Sequence, residues 1–200
     1  MEIEYKWKMS HEDLEKKMIA EMPVGTRIKS SEAITMKSIY HDTEDKKLKK
    51  RNIAFRKRVE NGQEICYLKI RVKEDNNLFV RNEYAIETDD LKRAFDYFVN
   101  KSELKDFFEG INYDEIKEIC VIEFDRSLYK IHYSLNYKSF DAELCFDVGW
   151  GKKGIDRTPI SEIELEFLNG DEELFRNYAI KLEEIFMLDR ESMSKIAQIK

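Results

Sequence analysis

The opening residues MEIEYKW put Glu2, Glu4 and Lys6 on one side of an extended strand, and Ile3, Tyr5 and Trp7 on the other. ISEIELEF repeats the pattern, with Glu162, Glu164 and Glu166 facing one way and Ile163, Leu165 and Phe167 the other. FRKRV sets Arg56 beside Arg58, and YLKIR aligns Tyr67, Lys69 and Arg71. VRNEY aligns Arg81 with Glu83, and AELCFDVG aligns Glu143, Cys145 and Asp147. One charged strand face is ordinarily a solvated edge that blocks aggregation. Six such faces are costly side by side unless opposite charges or ligands intervene. The chemistry on offer is the binding of charged groups.

The elements that must carry these faces read as strands near 2–8, 34–40, 53–60, 64–73, 78–87, 118–134, 140–148 and 161–168, with Asn61-Gly62 as a tight hairpin turn. Apolar stripes at helical spacing predict helices over 11–22 (N-cap Ser10), 88–108 (broken near Lys101-Ser102) and 171–188. This is an α+β pattern. It predicts an antiparallel, eight-stranded, closed or nearly closed β-barrel with helices packed outside. The apolar strand faces go under the helices, and the charged faces line a wet lumen. With no linker or internal repeat, residues 1–200 read as a single domain.

Charged residues make up 38% of the 200, above the usual quarter, and the net charge is -6. An acidic balance argues against a general nucleic-acid or membrane-surface binder, but it permits an anionic small molecule in a locally basic cavity. Cys66, Cys120 and Cys145 are far apart in apolar runs and read as reduced core residues. The three histidines form no ligand spacing. No signal peptide and no membrane span are expected, which points to a cytoplasmic protein. GWGKKG at 149–154 matches G-x-G-x-x-G, but a strand follows it where a dinucleotide fold requires a helix, so it reads as a strand-to-strand loop.

The order of the charged strands resembles the CYTH family of triphosphate tunnel enzymes along nearly the whole chain. The carriers are Glu2-x-Glu4-x-Lys6, Tyr40-His41-Asp42-Thr43, the LKKRNIAFRKRVENG hairpin and Leu68-Lys69. Arg81-x-Glu83, Arg126 to Tyr129, Asp147-x-Gly149, Glu162-x-Glu164-x-Glu166 and Ser194-Lys195 complete them. The chain departs from the family pattern at Ala85, after Lys195, where Ile196-Ala197-Gln198 follow, and at His41, where many relatives carry an aromatic residue.

The resemblance implies metal-dependent hydrolysis of a triphosphate. Lys6, Arg56, Arg58, Lys69, Arg81, Arg126 and Lys195 look like the phosphate cradle, since Arg binds phosphate oxygens in pairs and Lys acts as a point charge. Arg71 would lie near the rim. Glu2, Glu4, Asp147, Glu162, Glu164 and Glu166 look like ligands for Mg²⁺ or Mn²⁺, hard cations that take oxygen. Glu2, Glu4, Lys6 and Asp147 are the implied catalytic groups. Glu83 and Glu143 are equally readable as internal salt-bridge partners. The similarity of the hairpin to bacterial tripolyphosphatases favours inorganic triphosphate. A class IV-type adenylate cyclase, a thiamine or other organic triphosphatase, and a non-catalytic polyphosphate or nucleotide binder stay open. The expected partner is a small-molecule triphosphate, and a homodimer is left open.

Overall fold

Strict alternation makes the first strand, β1 (Glu2–Lys8), two-faced: Ile3, Tyr5 and Trp7 are buried on the outer side. The computed structural model describes the backbone of residues 2–11, 13–75 and 78–199 and, outside 72–80, their side chains. α1 (Leu14–Ala20) is shorter than the 11–22 its sequence predicts. Asp13 rather than Ser10 precedes it, Glu12 lies outside the described residues, and Pro23 biases Met22 away from helix. β2 (Thr26–Thr43) then runs well ahead of its predicted start at residue 34.

α2 (Lys47–Lys50) has no sequence signal beyond Asp42-Thr43. The Asp42 carboxylate accepts from the backbone N–H groups of Leu48 (2.9 Å) and Lys49 (3.0 Å), and Thr43 Oγ1 accepts from that of Lys47 (2.8 Å). The pair satisfies the otherwise orphaned donors of the turn. β3 (Ile53–Glu60) and β4 (Gln63–Asp75) meet at Asn61-Gly62, both at positive φ, as a two-residue hairpin requires. β5 (Leu78–Glu87) follows, then α3 (Leu91–Val99), which stops short of the predicted 108 at the expected break. β6 (Ile116–Leu135), β7 (Lys138–Lys153) and β8 (Asp156–Gly170) form long hairpins. Residues 149–153, expected to be loop, belong to β7 itself. α4 (Glu172–Phe186), N-capped by Asp171, and α5 (Lys195–Gln198) complete the chain.

The strands close into a barrel in the order β1-β5-β4-β3-β2-β6-β7-β8, every neighbouring pair antiparallel. Two apolar layers lie outside it. Tyr5, Trp7, Phe140 and Leu165 pack against Phe175, Tyr178 and Leu182 of α4. Phe55, Leu68 and Cys66 pack against Phe95 and Phe98 of α3. Half-buried His41 tilts against Phe55 in the same region, with ring centroids 6.0 Å apart, and so takes an aromatic's place. A third cluster, Met36, Tyr40, Cys120, Ile122, Phe124, Leu128 and Cys145, lies on the inward strand faces, with Ile196 and Ile199 packed on it. The lumen is therefore charged on one side and apolar on the other. The three cysteines are free and buried, as expected.

Candidate active site

Cross-strand register brings the charged faces together, because directly opposed residues of an antiparallel pair share a face. Glu4 stands opposite Glu166, Lys6 opposite Glu164, and Glu2 opposite Arg81. Asp147 stands between Arg126 on β6 and Glu162 on β8, Lys69 faces Glu83, and Arg56 lies between Tyr40 and Tyr67. The resulting cavity has a volume of about 680 Å³. Glu2, Glu4, Lys6, Arg56, Arg58, Lys69, Arg81, Arg126, Glu164, Glu166 and Lys195 all line it. Asp147 and Glu162 do not. They are fully buried, in contact with the cations that do.

The six candidate carboxylates divide into two triads, Glu2/Glu4/Glu166 and Asp147/Glu162/Glu164, each with oxygens within 4.8 Å of one another. The second triad is saturated with cations. Arg126 forks onto Asp147 at 2.7 and 2.6 Å and reaches Glu164 at 2.5 Å. Lys195 Nζ lies 2.7, 2.7 and 2.6 Å from Asp147, Glu162 and Glu164. Lys6 Nζ lies 3.1 and 3.0 Å from Glu162 and Glu164, and Gln198 donates to Glu162. Burial pushes the Glu164 carboxyl up, but Lys195, Lys6 and Arg126 outweigh it and hold it well below the carboxylate range. Burial likewise lowers Lys195, and the three carboxylates hold it well above the usual lysine value.

The first triad is short of positive charge. Lys69 Nζ holds Glu2 at 2.9 Å but is shared with Glu83 at 2.5 Å, and Arg81 Nη1 lies 2.6 Å from Glu4 Oε1. That contact is poorly directed, for Glu4 Oε1 is buried and accepts no hydrogen bond of ordinary geometry. Burial, then Glu2 and Glu4, push the Glu166 carboxyl up to about 8. A hard divalent cation takes several oxygen ligands at about 2.0–2.6 Å and supplies the missing charge. The donor type, the spacing and the orphaned oxygen of Glu2, Glu4 and Glu166 fit such an ion.

Opposite in character is the wall built by β3. Among the described residues, no carboxylate comes within ion-pairing distance of Arg56 or Arg58. Arg56 donates to Tyr40 Oη at 3.3 Å and lies 4.9 Å from the Tyr67 ring centroid, and Arg58 donates to Ser38 Oγ at 3.2 Å. Burial and the neighbouring Arg56 charge depress Arg58 to about 10. Burial raises Tyr40, yet Arg56 and Arg58 pull it below its ordinary value. Sequence reasoning did not assign Tyr40, Ser38 or Tyr67 a role. The available signal was their parity with the arginines across the hairpin. Arg71 is exposed at the rim, Glu83 pairs with Lys69, and Glu143 pairs with Lys130 at 3.5 Å.

The family model of the CYTH domain matches residues 1–199. The chain belongs to the CYTH family. Among solved structures, this CYTH chain is similar to HpAC1 from Hippeastrum, described as a candidate adenylyl cyclase with a dominant triphosphatase activity. It shares 16% identity with it over 98% of this chain and 94% of that one, at a TM-score of 0.58. It is similar to a candidate adenylate cyclase from Bacillus halodurans at 20% identity, TM-score 0.57, over 98% and 95% of the chains. PH1012 from Pyrococcus horikoshii aligns over 100% of both chains at 18% identity and TM-score 0.56. No curated protein sequence matches. At these identities the likeness establishes the fold. Among the described residues no helix of the CYTH chain is long and apolar enough to cross a membrane.

Proposed function

We propose that the chain hydrolyses a triphosphate, inorganic tripolyphosphate in particular, with a divalent cation held by Glu2, Glu4 and Glu166. One observation carries the reading. A single cavity presents a carboxylate triad with fewer cations than carboxylates and an arginine wall without a carboxylate in ion-pairing distance among the described residues. A triphosphate, with about four negative charges at neutral pH, complements the wall, and a divalent cation complements the triad.

Arg56 and Arg58, about 7 Å apart along β3, offer guanidinium forks to phosphate oxygens. Tyr40 and Tyr67 hold the Arg56 plane, so less side-chain entropy is lost when an anion binds. Lys69 and Arg81 pair with the carboxylate triad and line the same cavity, so they can also engage an anion held at the wall. Asp147 fixes the Arg126 fork by its bidentate contact, leaving that group aimed from the cavity lining. When bound, Mg²⁺ or Mn²⁺ neutralises charge that develops on the transferred phosphoryl group.

A phosphate-release screen of tripolyphosphate, ATP, thiamine triphosphate and pyrophosphate with Mg²⁺ and with Mn²⁺ tests the reading. The expected result is pyrophosphate plus phosphate from tripolyphosphate, abolished by EDTA. Undiminished turnover in excess EDTA refutes the metal. The apolar side of the cavity, with Met36, Ala54, Ile119 and Cys120 in its lining, favours a second reading: an organic triphosphate whose uncharged part lies there. Cyclic AMP as the main product from ATP would move the protein to the cyclase branch.

A further inference from the structure

The glycines of GWGKKG do not line the cavity, and at Gly149 and Gly151 the reason for a glycine is space. A Cβ on Gly149 would lie 2.1 Å from the Glu123 carbonyl oxygen, so this glycine permits the close approach of β6. Gly151 is different. It is paired with Ile122 and Thr158 in mid-sheet and has no positive φ to explain it. A glycine in a strand interior weakens the strand and often marks a close approach. A Cβ there would lie 1.9 Å from Ile199 Cδ1 and 2.8 Å from Ile199 Cγ1. The Ile199 side chain occupies the space that any side chain at 151 would fill.

Ile199 directly follows α5, whose first residue is Lys195. A four-residue helix cannot hold itself. Its turn is closed by Ala197 N–H and Gln198 N–H on Ser194 O at 2.8 and 3.2 Å, and the Ser194 side chain makes no cap. Tertiary contacts must fix it. Ile196 and Ile199 pack on the inner apolar cluster, and Gln198 donates to Glu162. We propose that Ile199, seated on Gly151, is a positioning residue that anchors α5 so that the Lys195 ammonium is held among Asp147, Glu162 and Glu164 at the cavity wall. The consequence for turnover rests on the reading of Lys195 as a phosphate-facing cation. The anchoring itself does not.

The test is amine acetylation of the full chain, mapped by mass spectrometry, with exposed Lys46 as the fast reference and buried Lys6 as the slow one. In the wild type Lys195 should label at least tenfold more slowly than Lys46. Ile199→Ala, which loses the anchor, and Gly151→Val, which fills its seat, should each raise Lys195 labelling several-fold while Lys6 stays protected. Ile199→Leu should restore protection. In parallel, the KM for tripolyphosphate should rise toward that of Lys195→Ala, with kcat less affected. Lys195 that stays equally protected in folded Ile199→Ala and Gly151→Val overturns the proposal, since the carboxylates alone then hold α5. Lys195 and Lys6 exposed together in Ile199→Ala also overturn it, because the change is then global. Lys195 exposed with an unchanged KM upholds the anchor and removes Lys195 from the phosphate site.

Discussion

The two carboxylate triads have nearly the same composition and opposite surroundings. Asp147, Glu162 and Glu164 share Lys6, Arg126 and Lys195, three negative charges against three positive ones, and Glu164 is held ionised well below its usual range. Glu2, Glu4 and Glu166 share fewer cations, and Glu166 is pushed up to about 8. A cluster that has already collected its counter-ions is a structural knot. One that has not keeps uncompensated negative charge. Acidic residues at ligand spacing therefore do not define a metal site until the cations facing them are placed.

The sharpest break between the triads should be in stability. Asp147→Asn strips a fully buried partner from Arg126 and Lys195. Removing one side of a buried pair costs about 3–5 kcal/mol, or about 10 °C in Tm for a chain of this size. Thermal melts of metal-free wild type and variant measure it. A shift below about 2 °C would show that the second triad is no knot. Glu4→Gln should lower the metal-free Tm less than Asp147→Asn does, because relief of repulsion with Glu2 and Glu166 offsets the lost Arg81 pair, and it should raise the Mg²⁺ concentration for half-maximal rate about tenfold or more, since a neutral amide replaces an anionic ligand. A Mg²⁺ titration of the initial rate decides it, and an unshifted midpoint moves the metal elsewhere.

Glu166 should make the first triad pH-sensitive. Its folded value of about 8 stands above the ordinary glutamate value of about 4.3. Between these limits the metal-free fold keeps a proton that the unfolded chain has lost, so its stability falls as pH rises through that window. A bound cation must displace that proton. Mg²⁺ affinity should then rise up to tenfold per pH unit below about 8 and level off above it. Calorimetric titrations of Mg²⁺ at pH 6, 7 and 8.5 test this, and Glu166→Gln should flatten the profile. The smallest expected change is Arg58→Ala. It relieves a buried like-charge neighbour of Arg56 and should raise Tm by a few degrees at most while raising the KM for tripolyphosphate. Loss of folding with full activity in the remaining folded fraction would remove Arg58 from the anion wall.

Period-two alternation in MEIEYKW, FRKRV and ISEIELEF already decided which side chains share a face turned into the barrel, because a strand cannot put Glu2, Glu4 and Lys6 on different faces. The Asn61-Gly62 hairpin and the α3 and α4 stripes were legible for the same local reason. Strand extents were not. Residues 26–33, 149–153 and 156–160 carry glycine, proline and charge that read as loop, yet long neighbours across the sheet keep these stretches in strands. Nor could the sequence divide the carboxylates. That division depends on register, which sets Lys6 opposite Glu164 and Glu4 opposite Glu166. It also depends on α5, which brings Lys195 from a point 29 residues beyond Glu166 in the sequence to the triad that already holds Arg126. Coulomb energy varies with distance in space, so which carboxylates are neutralised and which are left short of counter-charge was settled only when the barrel closed.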